Sequence, residues 1–366
     1  MRKYGKSKEN RPNPIVQMGL FLDGNGLPLA FNINAGNTNE QITLRPLEEK
    51  IVKDFNHSKF IVCTDAGLSS IANRNFNNTN NRSFITTQSV KMLKGHIKEN
   101  AIDLTKGWKL PNSDKKYNIN ALRTDEKLME IYKDKTFYKT IEMNENNLEQ
   151  RLIITFSVKY QEYQMKIRNN QIERAKKLIE KSPKKIGKAK QNDHKRFIKT
   201  EKITKDGEVA EKTIYSIDKS IIDEEAKYDG IYAVCTNLED SVEDIIKINH
   251  NRWEIEESFR IMKTEFKARP VYLSRDDRIR AHFTTCFLAL MIYRVLEHRL
   301  NSEFSAEKLI KTLRDINFMA VTTEDFLPTY KRTNITDKLH DLSGFRTDNE
   351  ILTYKQLKKI FKQIKK

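Results

Sequence analysis

Two stretches of the chain combine residue types that could do chemistry. The first is Asp65, which closes the apolar run Phe60-Ile-Val-Cys-Thr64 and precedes Ala66-Gly67. A short continuous apolar run reads as a buried strand. In open α/β sheets, ligands bind beyond the carboxyl ends of strands. An Asp in that place can equally be a turn or cap residue, and position alone leaves the two readings even. The second stretch is Asn249-His-Asn-Arg-Trp-Glu-Ile-Glu-Glu-Ser-Phe-Arg-Ile-Met-Lys263. At helical spacing Arg252, Glu256 and Lys263 fall within roughly 40° of one another, and Asn249 falls on the same face. A carboxylate between two cations can be an exposed salt-bridge ladder of little energetic value. Trp253, Ile255, Phe259 and Met262 make the rest of the helix apolar, so it should be packed, and a mixed-charge face on a packed helix suits a ligand.

The elements that must position these residues can be read from the pattern. Ile15–Leu22 and Leu27–Ile33 are strand-like and flank Asp23-Gly-Asn-Gly26, strong hairpin-turn chemistry. A helix is expected over Leu44–Phe55, then the strand ending at Asp65, then a short helix over Ser69–Phe76. Ser83–Thr87 and Leu152–Val158 read as strands, and Gln161–Lys181 as a basic helix. Tyr228-Asp-Gly-Ile-Tyr-Ala-Val-Cys-Thr-Asn237 carries another buried strand. Ser241 with Asp244 forms a capping-box pattern that opens one long helix over about 242–266. Arg280–Leu300, Lys308–Asp315 and Tyr354–Lys365 complete the helices.

Composition narrows the partners. The chain has 366 residues, with 67 Lys/Arg against 50 Asp/Glu, a net charge of +17. Such a surplus points to a polyanion, most often nucleic acid. Residues 166–212 alone hold sixteen Lys/Arg against seven Asp/Glu, and six Lys follow Glu350 without an acid. Any one of these lysines suits a solvated face, whereas the cluster suits a phosphate-tracking surface. Cys63, Cys235 and Cys286 are few and far apart, which argues against a disulfide framework and fits a reducing cytoplasm. The longest apolar run, Phe287–Ile292, is far short of the ~20 residues of a membrane span.

The spacing Arg252-x3-Glu256-x6-Lys263 resembles the Y-x2-R-x3-E-x6-K signature of bacterial insertion-sequence transposases, the DDE type with a ribonuclease H-like fold. Arg269-Pro-Val-Tyr272, Ala281-His-Phe, Tyr228-Asp-Gly and Cys63-Thr-Asp-Ala-Gly67 extend the likeness over nearly the whole chain. The resemblance implies a mixed α/β sheet flanked by helices and interrupted by a mostly β insertion. It also implies metal-dependent cleavage and strand transfer at element ends, with three carboxylates holding two Mg²⁺ or Mn²⁺ ions. Asp65 and Glu256 would be two of the three. Arg252 and Lys263 would hold DNA phosphates. Asn249 stands at the signature Tyr position, and Trp253 would either stack on a displaced base or pack in the core. Expected partners are double-stranded DNA and a second copy of the chain when DNA is bound, with no membrane, in the nucleoid-associated cytoplasm.

One element of that pattern is not found. The family's first Asp lies on the first strand, before the hairpin, which here starts at Ile15. Asp23 sits in the hairpin turn, at the end of the sheet away from Asp65, and reads as a turn residue; Asp229 begins a strand and reads as structural. The expectation is an N-terminally truncated, inactive transposase lacking the first core strand. Four segments are expected: 1–100, the first part of the catalytic core; 101–215, an inserted β-rich basic subdomain; 216–300, the rest of the core; and 301–366, a C-terminal helical basic region. The competing class is a non-catalytic nucleic-acid-binding protein, which divalent metal dependence would discriminate.

Overall fold

The structure, a computed structural model, describes residues 1–5, 13–55, 60–79, 81–183, 186–187, 192–203, 212–348 and 351–364. In chain order its main elements begin with β1 (Val16–Leu22), β2 (Pro28–Ala35), α1 (Leu44–Phe55), β3 (Phe60–Thr64), α2 (Ile71–Phe76) and β4 (Arg82–Thr87). Next come α3 (Gly95–Ile102), α4 (Ile119–Arg123), α5 (Glu126–Tyr132), β5 (Thr136–Glu145), β6 (Leu148–Ser157), α6 (Val158–Lys181), β7 (Ile198–Ile203), β8 (Lys212–Ile217) and α7 (Lys219–Ala226). They are followed by β9 (Ile231–Thr236), α8 (Val242–His250), α9 (Trp253–Thr264), α10 (Asp276–Arg299), α11 (Ala306–Asp315), β10 (Phe318–Ala320), β11 (Asp325–Pro328), α12 (Asn334–Ser343), β12 (Leu352–Thr353) and α13 (Tyr354–Ile364). Two compact units result, one of residues 1–56 with 250–366 and one of residues 57–249.

The second unit is built on a five-stranded mixed sheet in the order β3-β4-β9-β6-β5. β3 and β4 are parallel, and the remaining pairs are antiparallel. Because side chains alternate across a strand, β6 and β9 bury both faces. Leu152, Ile154, Phe156, Ala233 and Cys235 enter one core with Trp108, Ile119 and Phe137. Ile153 and Val234 enter another with Ile85 and with Ile245 of α8. The α/β class and the mixed sheet agree with the sequence.

The expected 101–215 subdomain does not. β5 and β6 form the long hairpin that completes the main sheet through the β6–β9 ladder, Arg151↔Thr236 to Phe156↔Ile231. Among the described strands of this range, β7 and β8 stand apart as a two-stranded sheet. The charged outer strand β5 conceals the apolar segment Leu152–Phe156 of its partner β6, and that segment is the one recruited into the core.

In the other unit β1 and β2 pair with each other as a two-stranded sheet, Val16↔Ala35 through Leu22↔Pro28. Leu20 joins a core made by Ile261 and Met262 of α9 and by Ile279, Phe283, Phe287 and Leu290 of α10. On length and composition α10 is the one described helix able to cross a membrane. Here it is a core helix carrying buried Arg294. The region 301–366 is not only helical: β10, β11 and β12 form a small antiparallel sheet. The basic stretch 166–212 includes 184–185, 188–191 and 204–211, and the Lys-rich end includes 365–366; these positions lie outside the described residues.

Candidate active site

Asp65 follows the last residue of β3 with an extended backbone, φ −83° and ψ 176°. One carboxylate oxygen accepts from the Gly67 N–H at 2.9 Å. The turn reading of this residue is thus met, and its position leaves the carboxylate open to solvent. It caps a short turn, as a bare turn Asp does, and it is exposed at the carboxyl edge of a strand. The Thr86 hydroxyl donates to its carbonyl at 3.4 Å.

The long helix expected over 242–266 is broken. α8 opens as foreseen, with the Asp244 N–H donating to Ser241 Oγ at 3.1 Å. It ends at His250, and α9 restarts at Trp253 after Asn251 and Arg252. The Asn251 side chain turns instead to the Gly24 carbonyl of the hairpin turn, at 3.5 Å. Asn249 therefore belongs to α8 and not to the helix that carries Glu256. Its amide donates to the Tyr232 hydroxyl at 3.4 Å, and its carbonyl oxygen accepts from Cys63 Sγ at 3.8 Å. The same Tyr232 hydroxyl lies 2.7 Å from Thr87 Oγ1. A break set by two loop residues leaves no trace in a helical periodicity.

On α9 the buried side is Ser258, Ile261 and Met262. The outer side, one helical stripe, exposes Trp253, Glu256, Phe259, Arg260 and Lys263. Trp253 is 51% exposed, so the core alternative for it is wrong. Arg252 is half-buried, and its Nε has no hydrogen-bond partner. Arg260 pairs with Glu257 in bonds that hold that carboxyl below its ordinary value. Glu256 takes part in no ion pair among the described residues, so the stripe is not a salt-bridge ladder. What the sequence did not reveal is that the inner face is polar at Ser258, a position that the apolar stripe argument passed over.

The other two aspartates are committed elsewhere. Asp23 Oδ1 accepts from the N–H groups of Asn25 and Leu27 at 2.9 and 2.8 Å. Gly26, at φ 80°, closes that turn in the left-handed region that favours glycine. Asp229 is buried and takes a two-pronged bond from Arg168, at 2.6 and 2.5 Å. Asp23→Ala should therefore lower stability by about 1–2 kcal/mol through two lost backbone hydrogen bonds while leaving divalent-metal affinity unchanged; urea melts alongside a Mn²⁺ titration check both.

A further acidic group lies on the first unit. Ligand atoms of Asp337, His340 and Asp348 fall within 4.8 Å of one another. Both carboxylates are already held: Arg346 reaches Asp337 at 2.6 Å and Asp348 at 2.7 Å, and Arg332 reaches Asp337 at 2.8 Å. The Arg346 bond pulls the Asp348 carboxyl down to about 2. This is an arginine clasp closing α12 onto the following loop, not a vacant ion cage.

Residues 2–292 match the family described as the transposase DDE domain. The chain belongs to the DDE transposases. The match takes in β3 with Asp65, α9 with Glu256, and most of α10. Comparison with curated proteins gives no match. A transposase acts on DNA, and DDE transposases use divalent metal; the +17 charge of this one agrees with a polyanionic substrate. The mixed sheet with its helices is that of a ribonuclease H-like transposase.

Proposed function

We propose that Asp65 and Glu256 are divalent-metal ligands of this transposase, and that the reaction they serve is cleavage and strand transfer of phosphodiesters at element ends. The supporting observation is Glu256 itself, an exposed carboxylate with no ion pair among the described residues, in a stripe with a tryptophan and lysine, on a helix otherwise anchored in the core. Asp65 belongs to the other compact unit. Its exposed carboxylate and that of Glu256 are hard oxygen donors, which fit Mg²⁺ or Mn²⁺. When bound, two such ions activate an attacking oxygen and stabilise a leaving one.

The chain's own residues do the rest. Lys263 neutralises a backbone phosphate as a point charge, and Arg252 offers a planar fork to a second. Trp253, exposed beside them, offers a face on which an unpaired base stacks. Asn249, with its amide committed to Tyr232, contributes through that contact rather than from the α9 stripe. Two copies acting together on double-stranded DNA, in the nucleoid-associated cytoplasm, complete the reading. Asp23 and Asp229 are bound up in a turn and an ion pair, so neither is assigned as a metal ligand.

Iron-directed cleavage tests the assignment. Fe²⁺ with peroxide, loaded in place of Mg²⁺, should cut the polypeptide near residues 65 and 256 together. Asp65→Asn or Glu256→Gln should abolish both cuts. Cutting at one position only would break the pair assignment. If no metal binds while duplex DNA still does, the competing reading of a non-catalytic binding protein replaces this one.

A further inference from the structure

The inner face of α9 carries a polar anchor that neither the signature nor the family match accounts for. Arg294, on α10, is 2% exposed. Its Nη2 donates to Ser258 Oγ at 2.8 Å and to the Glu254 carbonyl at 3.2 Å, and lies 3.0 Å from Glu254 Oε2. Its Nε donates to the same Ser258 oxygen at 3.3 Å. Its Nη1 is held by Glu297 at 2.6 Å, whose other oxygen accepts from the Tyr293 hydroxyl at 2.6 Å.

The guanidinium is thus fixed from behind by its own helix and grips α9 at 254 and 258. Those positions bracket Glu256 by two residues on each side. At ~100° per residue, each lies about 160° around the helix from Glu256. A rigid planar fork holding both positions fixes the rotation and the rise of α9 together. Apolar contacts at Ile261 and Met262 are non-directional and tolerate a small roll. No continuous helix from α8 supplies the missing constraint, since the chain breaks at Asn251 and Arg252. Glu254 is also seated against the hairpin: a Cβ on Gly26 would lie 3.0 Å from Glu254 Oε2.

We propose that Arg294 is the positioning residue of the α9 helix, setting the aim of Glu256 by gripping Glu254 and Ser258 without itself meeting metal or DNA. This rests on the reading of Glu256 as a metal ligand given above. A supporting residue one layer behind a ligand typically changes metal affinity by about 10–100-fold when altered.

The test uses the full chain and Mn²⁺ as the probe, with bound metal counted by electron paramagnetic resonance. Arg294→Lys keeps the charge and loses the fork. It should weaken Mn²⁺ binding about tenfold, with the circular dichroism spectrum retained and metal-free duplex affinity unchanged. Ser258→Ala removes one acceptor and should weaken Mn²⁺ in the same direction; it carries the test if Arg294→Lys does not fold. Leu309→Ala, a cavity elsewhere in the same core, should lower the melting temperature and leave Mn²⁺ affinity alone. If Arg294→Lys and Ser258→Ala bind Mn²⁺ as the parent does, or if Leu309→Ala weakens it equally, the arginine is only structural and the proposal is overturned. Glu256→Gln separates the two levels. If it binds Mn²⁺ like the parent, the ligand assignment itself fails, and the positioning role falls with it.

Discussion

Replacing Asp229 by Ala should cost about 3–5 kcal/mol of stability, since it strands a buried arginine charge. Arg168 and Asp229 are both nearly enclosed, and their two bonds measure 2.6 and 2.5 Å. No other carboxylate is bonded to Arg168 among the described residues, and its Nε is already without a partner. The backbone offers no relief. Gly230 sits at φ 80°, where an added Cβ would come 2.6 Å from the Phe156 ring, and its N–H donates to Gln164 at 2.7 Å. Against a domain stability of ~5–15 kcal/mol, the loss should show as a large fall in the urea midpoint. The pair Arg168→Met with Asp229→Leu should recover much of it, because an apolar replacement of a buried ion pair is often neutral. Mn²⁺ binding should survive in whatever fraction of Asp229→Ala remains folded. Its loss there would make Asp229 the third carboxylate and undo the structural assignment.

Lys139 should make the protein more stable as the solution becomes alkaline. It is 4% exposed, with its ammonium bonded to the carbonyls of Asn100 and Asp103 and lying 4.7 Å from the centre of the Trp108 ring. Burial pushes its pKa down from the ordinary 10.5 to about 8, with Asp103 opposing. Below that value the lysine is charged in both folded and unfolded chains, and the full cost of burying it is present. Between about 8 and 10.5 the unfolded chain binds the extra proton, so stability rises with pH. The gain is roughly 3 kcal/mol at most across that window. Lys139→Met should flatten this part of the curve, leaving the slopes of other lysines and tyrosines in place. Parallel curves for parent and variant between those pH values would refute the claim.

How much of this could be read in the sequence depended on whether the cause was local. The hairpin turn was legible because Asp23-Gly-Asn-Gly26 carries its own chemistry: a short carboxylate that bonds two N–H groups ahead and a glycine free to take positive φ. The α8 start was legible for the same reason, since Ser241 and Asp244 cap each other across one turn. Asp65 was legible as both a turn residue and a strand-end residue, because a five-residue apolar run bounds it. The structural part of Asp229 could be foreseen from its place at the start of a strand, but its partner Arg168, 61 positions away, could not.

What only the tertiary structure decided involves a choice among distant partners. β6 joined the main sheet rather than a separate subdomain because β9 presents a matching apolar edge, a pairing that no local pattern encodes. α8 ends at His250 and α9 restarts at Trp253, so Asn249 and Glu256 stand on two helices where helical arithmetic had assumed one. Trp253 went outward because the inner face of α9 was taken by Ser258, Ile261 and Met262 against α10. Spacing along one helix fixes which residues share a face; which face turns inward is set by the neighbour it meets, and here that neighbour brings a buried arginine.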